Sequence, residues 1–126
     1  MATVSISVVL THFNKGPLLQ RTIESLQPDL PELLEIIVAD DASTDPHWAN
    51  FSAQLEQQYP KVKITRNTDN LGPANRLNQG GHAAQGDYLF FMDADDVLAP
   101  HRLKQIVDLM QAENCDLFYG NKVKIH

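Results

Sequence analysis

An apolar run stops abruptly at three carboxylates in the stretch Tyr88-Leu-Phe-Phe-Met-Asp-Ala-Asp-Asp96, and this stretch decides the predicted fold. Largely apolar residues from Tyr88 to Met92 are typical of a strand in a parallel sheet that is covered on both faces. Open α/β sheets bind their ligands at the carboxyl ends of such strands. The stretch therefore predicts a ligand site lined by Asp93, Asp95 and Asp96.

The three acids favour a divalent cation as that ligand. Side chains alternate along an extended segment, which turns Asp93 and Asp95 the same way. Carboxylates this close repel one another unless they are well solvated or hold a cation, and hard oxygen ligands suit Mg²⁺ or Mn²⁺. A solvated turn is the alternative interpretation, but it explains three acids within four residues less well.

Strands and helices alternate along the rest of the chain. Apolar and β-branched runs predict five strands: Val4–Thr11, Leu34–Ala39, Val62–Arg66, Tyr88–Met92 and Leu117–Gly120. Apolar residues at helical spacing predict four helices between them: Pro17–Leu26, Pro46–Tyr59 with Asp45 as its N-cap, Pro73–Ala84 and Pro100–Glu113. Right-handed crossovers then give the α/β class, with a mostly parallel, doubly wound, Rossmann-like sheet that has helices on both faces.

A second pair of acids, Asp40-Asp41, follows the second predicted strand. Because parallel strands end at the same edge of a sheet, this pair is expected to face the same crevice as the first cluster. Asp45 and Asp87 are instead interpreted as a helix cap and a turn former.

Composition limits the classes of function. The 126 residues fit one domain, and the net charge of −6 argues against binding to nucleic acid. No apolar run reaches membrane-spanning length and no signal segment begins the chain, so a cytoplasmic location is expected. Cys115 is the only cysteine, which excludes an internal disulfide and a thiolate metal cluster.

The glycine pattern lacks both the dinucleotide fingerprint and the phosphate loop, so a nucleotide would be held in another way. Phe13 offers a face on which a base can stack, although it is equally well explained as a packing residue. Asp41 can accept hydrogen bonds from a base edge or a ribose.

Four motifs in register carry a resemblance that runs through nearly the whole chain. They are Val8-Val-Leu-Thr-His-Phe-Asn-Lys15, Ile37-Val-Ala-Asp-Asp-Ala-Ser-Thr-Asp45, Asn70-Leu-Gly-Pro-Ala-Asn75 and Phe91-Met-Asp-Ala-Asp-Asp96. In this order they resemble the inverting glycosyltransferases of family two, which have the GT-A nucleotide-sugar-binding fold. The resemblance implies that residues 1–126 are a single donor-binding domain, the N-terminal part of a longer hexosyltransferase-type enzyme of cell-envelope polysaccharide synthesis.

The resemblance also implies roles for individual residues. It places Thr11 and Phe13 in the base pocket, Asp41 on the uracil of a uridine nucleotide, and Arg76 near the base or phosphates. Asp93 matches a ligand of the ribose and the metal, and the direct metal ligand is Asp95 or Asp96, with Mn²⁺ or Mg²⁺ as the ion. Asn14 is expected to structure its loop and Lys15 to be solvated.

The expected reaction transfers a sugar from a nucleoside diphosphate, most commonly UDP, to a saccharide or lipid-linked acceptor. The metal stabilises the leaving diphosphate, and a carboxylate base takes the proton of the acceptor hydroxyl. In the family this base and the acceptor site follow the fifth strand, and no residue here matches them. The chain is therefore expected to bind donor and metal but to transfer sugar poorly, and any membrane association is expected to come from missing parts of the protein.

Two alternatives stay open. A non-catalytic nucleotide-binding module would have the same donor site. The acid stretch also resembles the nucleophile motif of haloacid-dehalogenase-type phosphatases, but that motif belongs on an early strand and only 29 residues follow Val97.

Overall fold

The computed structural model describes residues 5–29, 31 and 33–112, and within them the chain forms one parallel sheet with its helices. The strands are β1 (Ile6–His12), β2 (Leu33–Asp40), β3 (Val62–Arg66) and β4 (Tyr88–Asp93). The helices are α1 (Gly16–Ser25), α2 (Trp48–Gln58), α3 (Pro73–Ala83) and α4 (Arg102–Ala112), and a 3₁₀ turn, Gln27–Asp29, follows α1. The predicted strand Leu117–Gly120 lies outside the described residues.

The strands pair in the order β3-β2-β1-β4, and all three pairs are parallel. The register sets His12 opposite Asp40 and Thr11 opposite Asp93. This confirms the predicted α/β class with a parallel sheet. It also brings the polar ends of three strands to one edge.

Helices pack on both faces of the sheet, as predicted. The expectation that Tyr88–Met92 is covered on both faces was wrong among the described residues, because Leu89 and Phe91 of β4 are 44% and 46% exposed. Buried residues of α1, α2 and α4 join the core on one face, where they pack with Val8, Leu10 and Ile36. On the other face α3 comes so close to β1 that a Cβ added to Gly80 would lie 2.1 Å from Cγ1 of Val9. A glycine is therefore what permits this approach.

Two helices begin later than the sequence pattern predicts. Asp45 is not the N-cap of α2, because its carboxylate accepts a hydrogen bond from the His47 amide at 2.9 Å and closes a turn before the helix begins at Trp48. Helix α4 begins at Arg102 instead of Pro100, since His101 has a φ of +62° that no helix interior accommodates.

Asp87, which was expected to form a turn, instead bonds to a residue far along the chain. Its carboxylate accepts hydrogen bonds from the amide and the hydroxyl of Ser5, at 3.1 and 3.2 Å, just before β4 begins. No helix among the described residues is long and apolar enough to cross a membrane.

Candidate functional site

The site begins where β1 and β4 end side by side. The hydroxyl of Thr11 donates a hydrogen bond to Oδ1 of Asp93 at 2.9 Å, and the amide of Ala94 donates to the carbonyl of Thr11 at the same distance. One side-chain bond and one backbone bond at the end of the β1–β4 pair therefore hold the first acid of the cluster in place.

The three acids then lie together in a tight turn. Asp93, Asp95 and Asp96 each offer an oxygen atom within 4.8 Å of the others. The amide of Asp96 donates to the carbonyl of Asp93 at 3.1 Å, and the amide of Asp93 donates back to the carboxylate of Asp96 at 3.2 Å. These bonds, rather than the strand itself, bring the third acid back toward the first.

Helix α1 supports this turn from beneath. The buried hydroxyl of Thr22 lies 2.8 Å from the carbonyl of Ala94 and also contacts the carbonyl of Asp96. The carboxylates of Asp93 and Asp95 remain exposed, which leaves room for water or a ligand to complete a coordination shell. Hard oxygen donors with open positions fit Mg²⁺ or Mn²⁺.

The acids border a cleft of about 180 Å³ that several of the sequence-predicted residues share. Its lining residues are Thr11, Phe13, Lys15, Arg76, Asp93, Ala94 and Asp95. Asp96 does not line the cleft, but it belongs to the acid cluster that borders it. Asp41 does not line the cleft either.

Lys15 is a site residue to which sequence reasoning gave no role. Its ammonium group lies 3.8 Å from the carboxylate of Asp95, and both side chains are about half exposed. Its place in the loop two residues after Phe13 is the only sequence signal for this contact.

Arg76 connects the cleft to the second strand. Its guanidinium carbon lies 5.8 Å from the centre of the Phe13 ring, and its Nε donates to Oδ2 of Asp41 at 3.0 Å. Only 18% of the Arg76 side chain is exposed. Arg76 therefore joins the cleft that the first acid cluster borders to Asp41 of the second acid pair.

Asp41 itself is completely buried behind the cleft. Besides Arg76, its donors are the amide of Leu71, the amide of Gly72 and the side chain of Asn67. Burial alone would raise the pKa of Asp41, but these hydrogen bonds outweigh it and lower the pKa to about 2. The carboxylate is thus ionised at neutral pH.

A buried pair beside the cleft, His12 and Asp40, is structural. The Lys15 amide donates to Nε2 of His12, which leaves the ring proton on Nδ1, 2.9 Å from Asp40. Burial would raise the pKa of Asp40, but hydrogen bonds from His12 and Ser43 lower it. Sequence reasoning missed this pair because its members are 28 positions apart and only the register joins them.

Asn14 organises the neighbouring loops, as expected. Its φ of +52° is left-handed, and its side-chain oxygen accepts hydrogen bonds from the amides of Thr44 and Asp45 at 2.9 and 3.1 Å. The loops after β1 and β2 are therefore tied together at the edge of the cleft. A second cavity of about 190 Å³ lies beyond this loop, with Trp48 and Phe51 in its mostly apolar wall.

Comparison with known proteins finds similar sequences over most of this chain. A sequence model of the family described as Glycosyl transferase family 2 matches residues 7–126. An uncharacterized glycosyltransferase from Nostoc sp. is 36% identical over 112 residues, and the match covers 88% of this chain and 34% of the relative. The glycosyltransferase GlyG from Streptococcus pneumoniae is 28% identical, with 92% of this chain and 38% of the relative covered.

A solved structure shares the fold. The mannosyltransferase from Pyrobaculum calidifontis, in complex with GDP-Man and Mn²⁺, superposes with a TM-score of 0.77 at 23% identity. The match covers 87% of this chain and 33% of that one. The chain thus spans about a third of the length of each of these three proteins.

Proposed function

The chain belongs to glycosyltransferase family 2, and on that premise we propose that it binds a nucleoside diphosphate sugar through a divalent metal for inverting transfer to an acceptor hydroxyl. One observation carries the proposal. A single cleft brings together an aromatic face (Phe13), a fixed cation (Arg76) and the exposed acids Asp93 and Asp95. Together they match the base, the diphosphate and the metal of such a donor.

In this proposal the base stacks on Phe13, and Thr11 borders the same pocket. Asp93 contacts the ribose and the metal, while Asp95 or Asp96 is the direct metal ligand. The hydrogen bond from Thr11 to Asp93 supports this arrangement, because it holds the first acid in place before any ligand arrives. The contact expected between Asp41 and the base stays a prediction.

Mn²⁺ or Mg²⁺ is the proposed metal. The clustered oxygens fit either ion, and the mannosyltransferase of similar fold was solved with Mn²⁺. A bound divalent cation stabilises the negative charge that grows on the leaving diphosphate. Arg76 and Lys15 add positive charge to the same cleft.

The four-motif resemblance favours UDP as the nucleotide. A carboxylate base from outside residues 5–112 is proposed to take the acceptor proton, because the cleft acids are assigned to donor and metal. The acceptor, saccharide or lipid-linked, and a role in cell-envelope polysaccharide synthesis stay predictions. Slow sugar transfer by this chain alone also stays a prediction. The family match favours a transferase over the phosphatase alternative.

Calorimetric titration of the chain with UDP, GDP, CDP and TDP, each with Mn²⁺ and with EDTA, tests the proposal. We expect binding that requires the metal, with UDP bound most tightly and UMP bound more weakly because it lacks the second phosphate. Absence of binding to all four diphosphates in the presence of Mn²⁺ would refute the proposed function. Equal binding in EDTA would refute the metal site.

A further inference from the structure

We propose that the Lys15 ammonium and a divalent metal compete for Asp95, and that the displaced ammonium then binds the diphosphate of the donor. The inference rests on the proposed function and adds to its site a side chain that the family resemblance leaves in solvent. Lys15 thereby couples the binding of metal to the binding of nucleotide.

The backbone of Lys15 is fixed at the border of the cleft. Its amide donates to Nε2 of His12 at 3.1 Å, and Nδ1 of that buried ring lies 2.9 Å from Oδ1 of Asp40. Its carbonyl accepts from the amide of Leu19 at 3.0 Å, in the first turn of α1. Because a buried pair and a helix hold the main chain, a change of position is left to the side chain.

The side chain of Lys15 is held weakly where it lies. Its Nζ is 3.8 Å from Oδ2 of Asp95, which is longer than a hydrogen bond, and the two side chains are 48% and 40% exposed. Ion pairs of this kind contribute little to stability, because water screens them. Arg76, the other cation among the described residues that line the cleft, is 18% exposed and bonded at 3.0 Å. Lys15 is therefore the cation of this cleft that can change partners.

Competition between the ammonium and the metal follows from charge. Three carboxylates have oxygen atoms within 4.8 Å of one another, and the Lys15 ammonium neutralises part of their charge. A divalent cation on Asp95 repels this ammonium, so the two are unfavourable together beside the same carboxylate. Binding of the metal without nucleotide is therefore weakened by the loss of the ion pair and by this repulsion.

A diphosphate in the cleft offers the displaced ammonium a new anion. An ammonium on a flexible four-carbon stem has three donors that can turn toward a nearby oxygen, so it binds phosphate without a fixed geometry. The stem begins at the border of the same cleft that Asp93 and Asp95 line. Metal and diphosphate therefore bind cooperatively, since the metal releases the ammonium that the diphosphate then binds.

Two titrations with opposite expected signs test the inference. Binding of Mn²⁺ alone is followed by the electron paramagnetic resonance of the free ion, and binding of UDP at saturating Mn²⁺ is followed by calorimetry. We expect Lys15→Met to bind Mn²⁺ alone about threefold more tightly than wild type, and to bind UDP about fivefold more weakly. Lys15→Arg, which retains the charge, is expected to bind Mn²⁺ alone as wild type does.

Lys104→Met is the matched control. Nζ of Lys104 also lies 3.8 Å from a carboxylate, that of Asp108, and its side chain is 49% exposed, but it lies on α4 and does not line the cleft. This variant removes the same charge and is expected to match wild type in both titrations. Equal changes in Lys15→Met and Lys104→Met would indicate an effect of net charge and would overturn the inference.

Tighter binding of Mn²⁺ alone by Lys15→Met, together with weaker binding of UDP, supports the inference. Unchanged or weaker binding of Mn²⁺ alone by this variant would overturn it, as would an unchanged affinity for UDP. Failure of wild type to bind UDP at any Mn²⁺ concentration would refute the proposed function instead, and the titration with Mn²⁺ alone would still test the competition for Asp95. The two failures are therefore distinguishable.

Discussion

The hydroxyl of Thr11 donates a 2.9 Å hydrogen bond to Asp93, its register partner across the β1–β4 pair. The bond joins the end of one strand to the first acid of the cluster. The position of Asp93 is therefore determined by the sheet and not by a loop.

Thr11→Val removes this bond while it preserves side-chain shape. We expect the chain to fold and its Mn²⁺-dependent affinity for UDP to fall about fivefold, because Asp93 then samples other rotamers. Thr11→Ser retains the hydroxyl and is expected to bind nearly as wild type. Unchanged affinity in Thr11→Val, measured by calorimetry, would show that the bond is irrelevant to the site.

Phe13→Ala removes the proposed stacking face. Stacking of a base on an aromatic ring contributes about 1–3 kcal/mol, so the affinity for UDP is expected to fall by about fivefold to a hundredfold. Phe51→Ala is the matched control, because that half-buried ring lies in the wall of the other cavity. Equal losses in the two variants would indicate a general packing effect.

Gly80→Ala tests the close approach of α3 to the sheet. The added Cβ would overlap Cγ1 of Val9, and overpacking of this kind costs about 1–3 kcal/mol even though alanine favours helices. Chemical denaturation is expected to show this loss and to show partial recovery in Gly80→Ala/Val9→Ala. If Gly80→Ala were as stable as wild type, the close contact between Gly80 and Val9 would be contradicted.

Asp41 is expected to make the free energy of unfolding depend on pH in the acid range. Its pKa is lowered to about 2 in the folded chain, so its contribution is fully present above the ordinary carboxyl value near pH 4 and is lost as the pH falls through 2. Thermal unfolding from pH 5 to pH 2 measures it. Asp41→Asn should be less stable than wild type at pH 5, and the difference should shrink toward pH 2. A constant difference over this range would contradict the assignment.

The sequence alone was sufficient for the parallel α/β sheet and for the acid cluster, because apolar runs that alternate with helices and end in carboxylates are typical of both. It was insufficient for the burial of β4, where Leu89 and Phe91 are exposed. It was insufficient for Asp45, whose preference for N-capping was overridden by a local turn with the His47 amide.

Longer-range partners were beyond sequence reasoning for a different reason. The donors that surround Asp41 come from a loop about 30 positions away, and only the folded path of that loop brings them together. Likewise the contact between Lys15 and Asp95 joins loops that follow different strands.

The most direct test of the account compares Mn²⁺-dependent UDP binding in wild type, Asp95→Asn and Asp108→Asn. Asp108 is a suitable control because it is an exposed aspartate on α4 whose ion pair with Lys104 contributes little. We predict that Asp95→Asn loses more than about tenfold in affinity, whereas Asp108→Asn binds as wild type. Wild-type affinity in Asp95→Asn would contradict the claim that the acid cluster holds the metal for a nucleoside diphosphate.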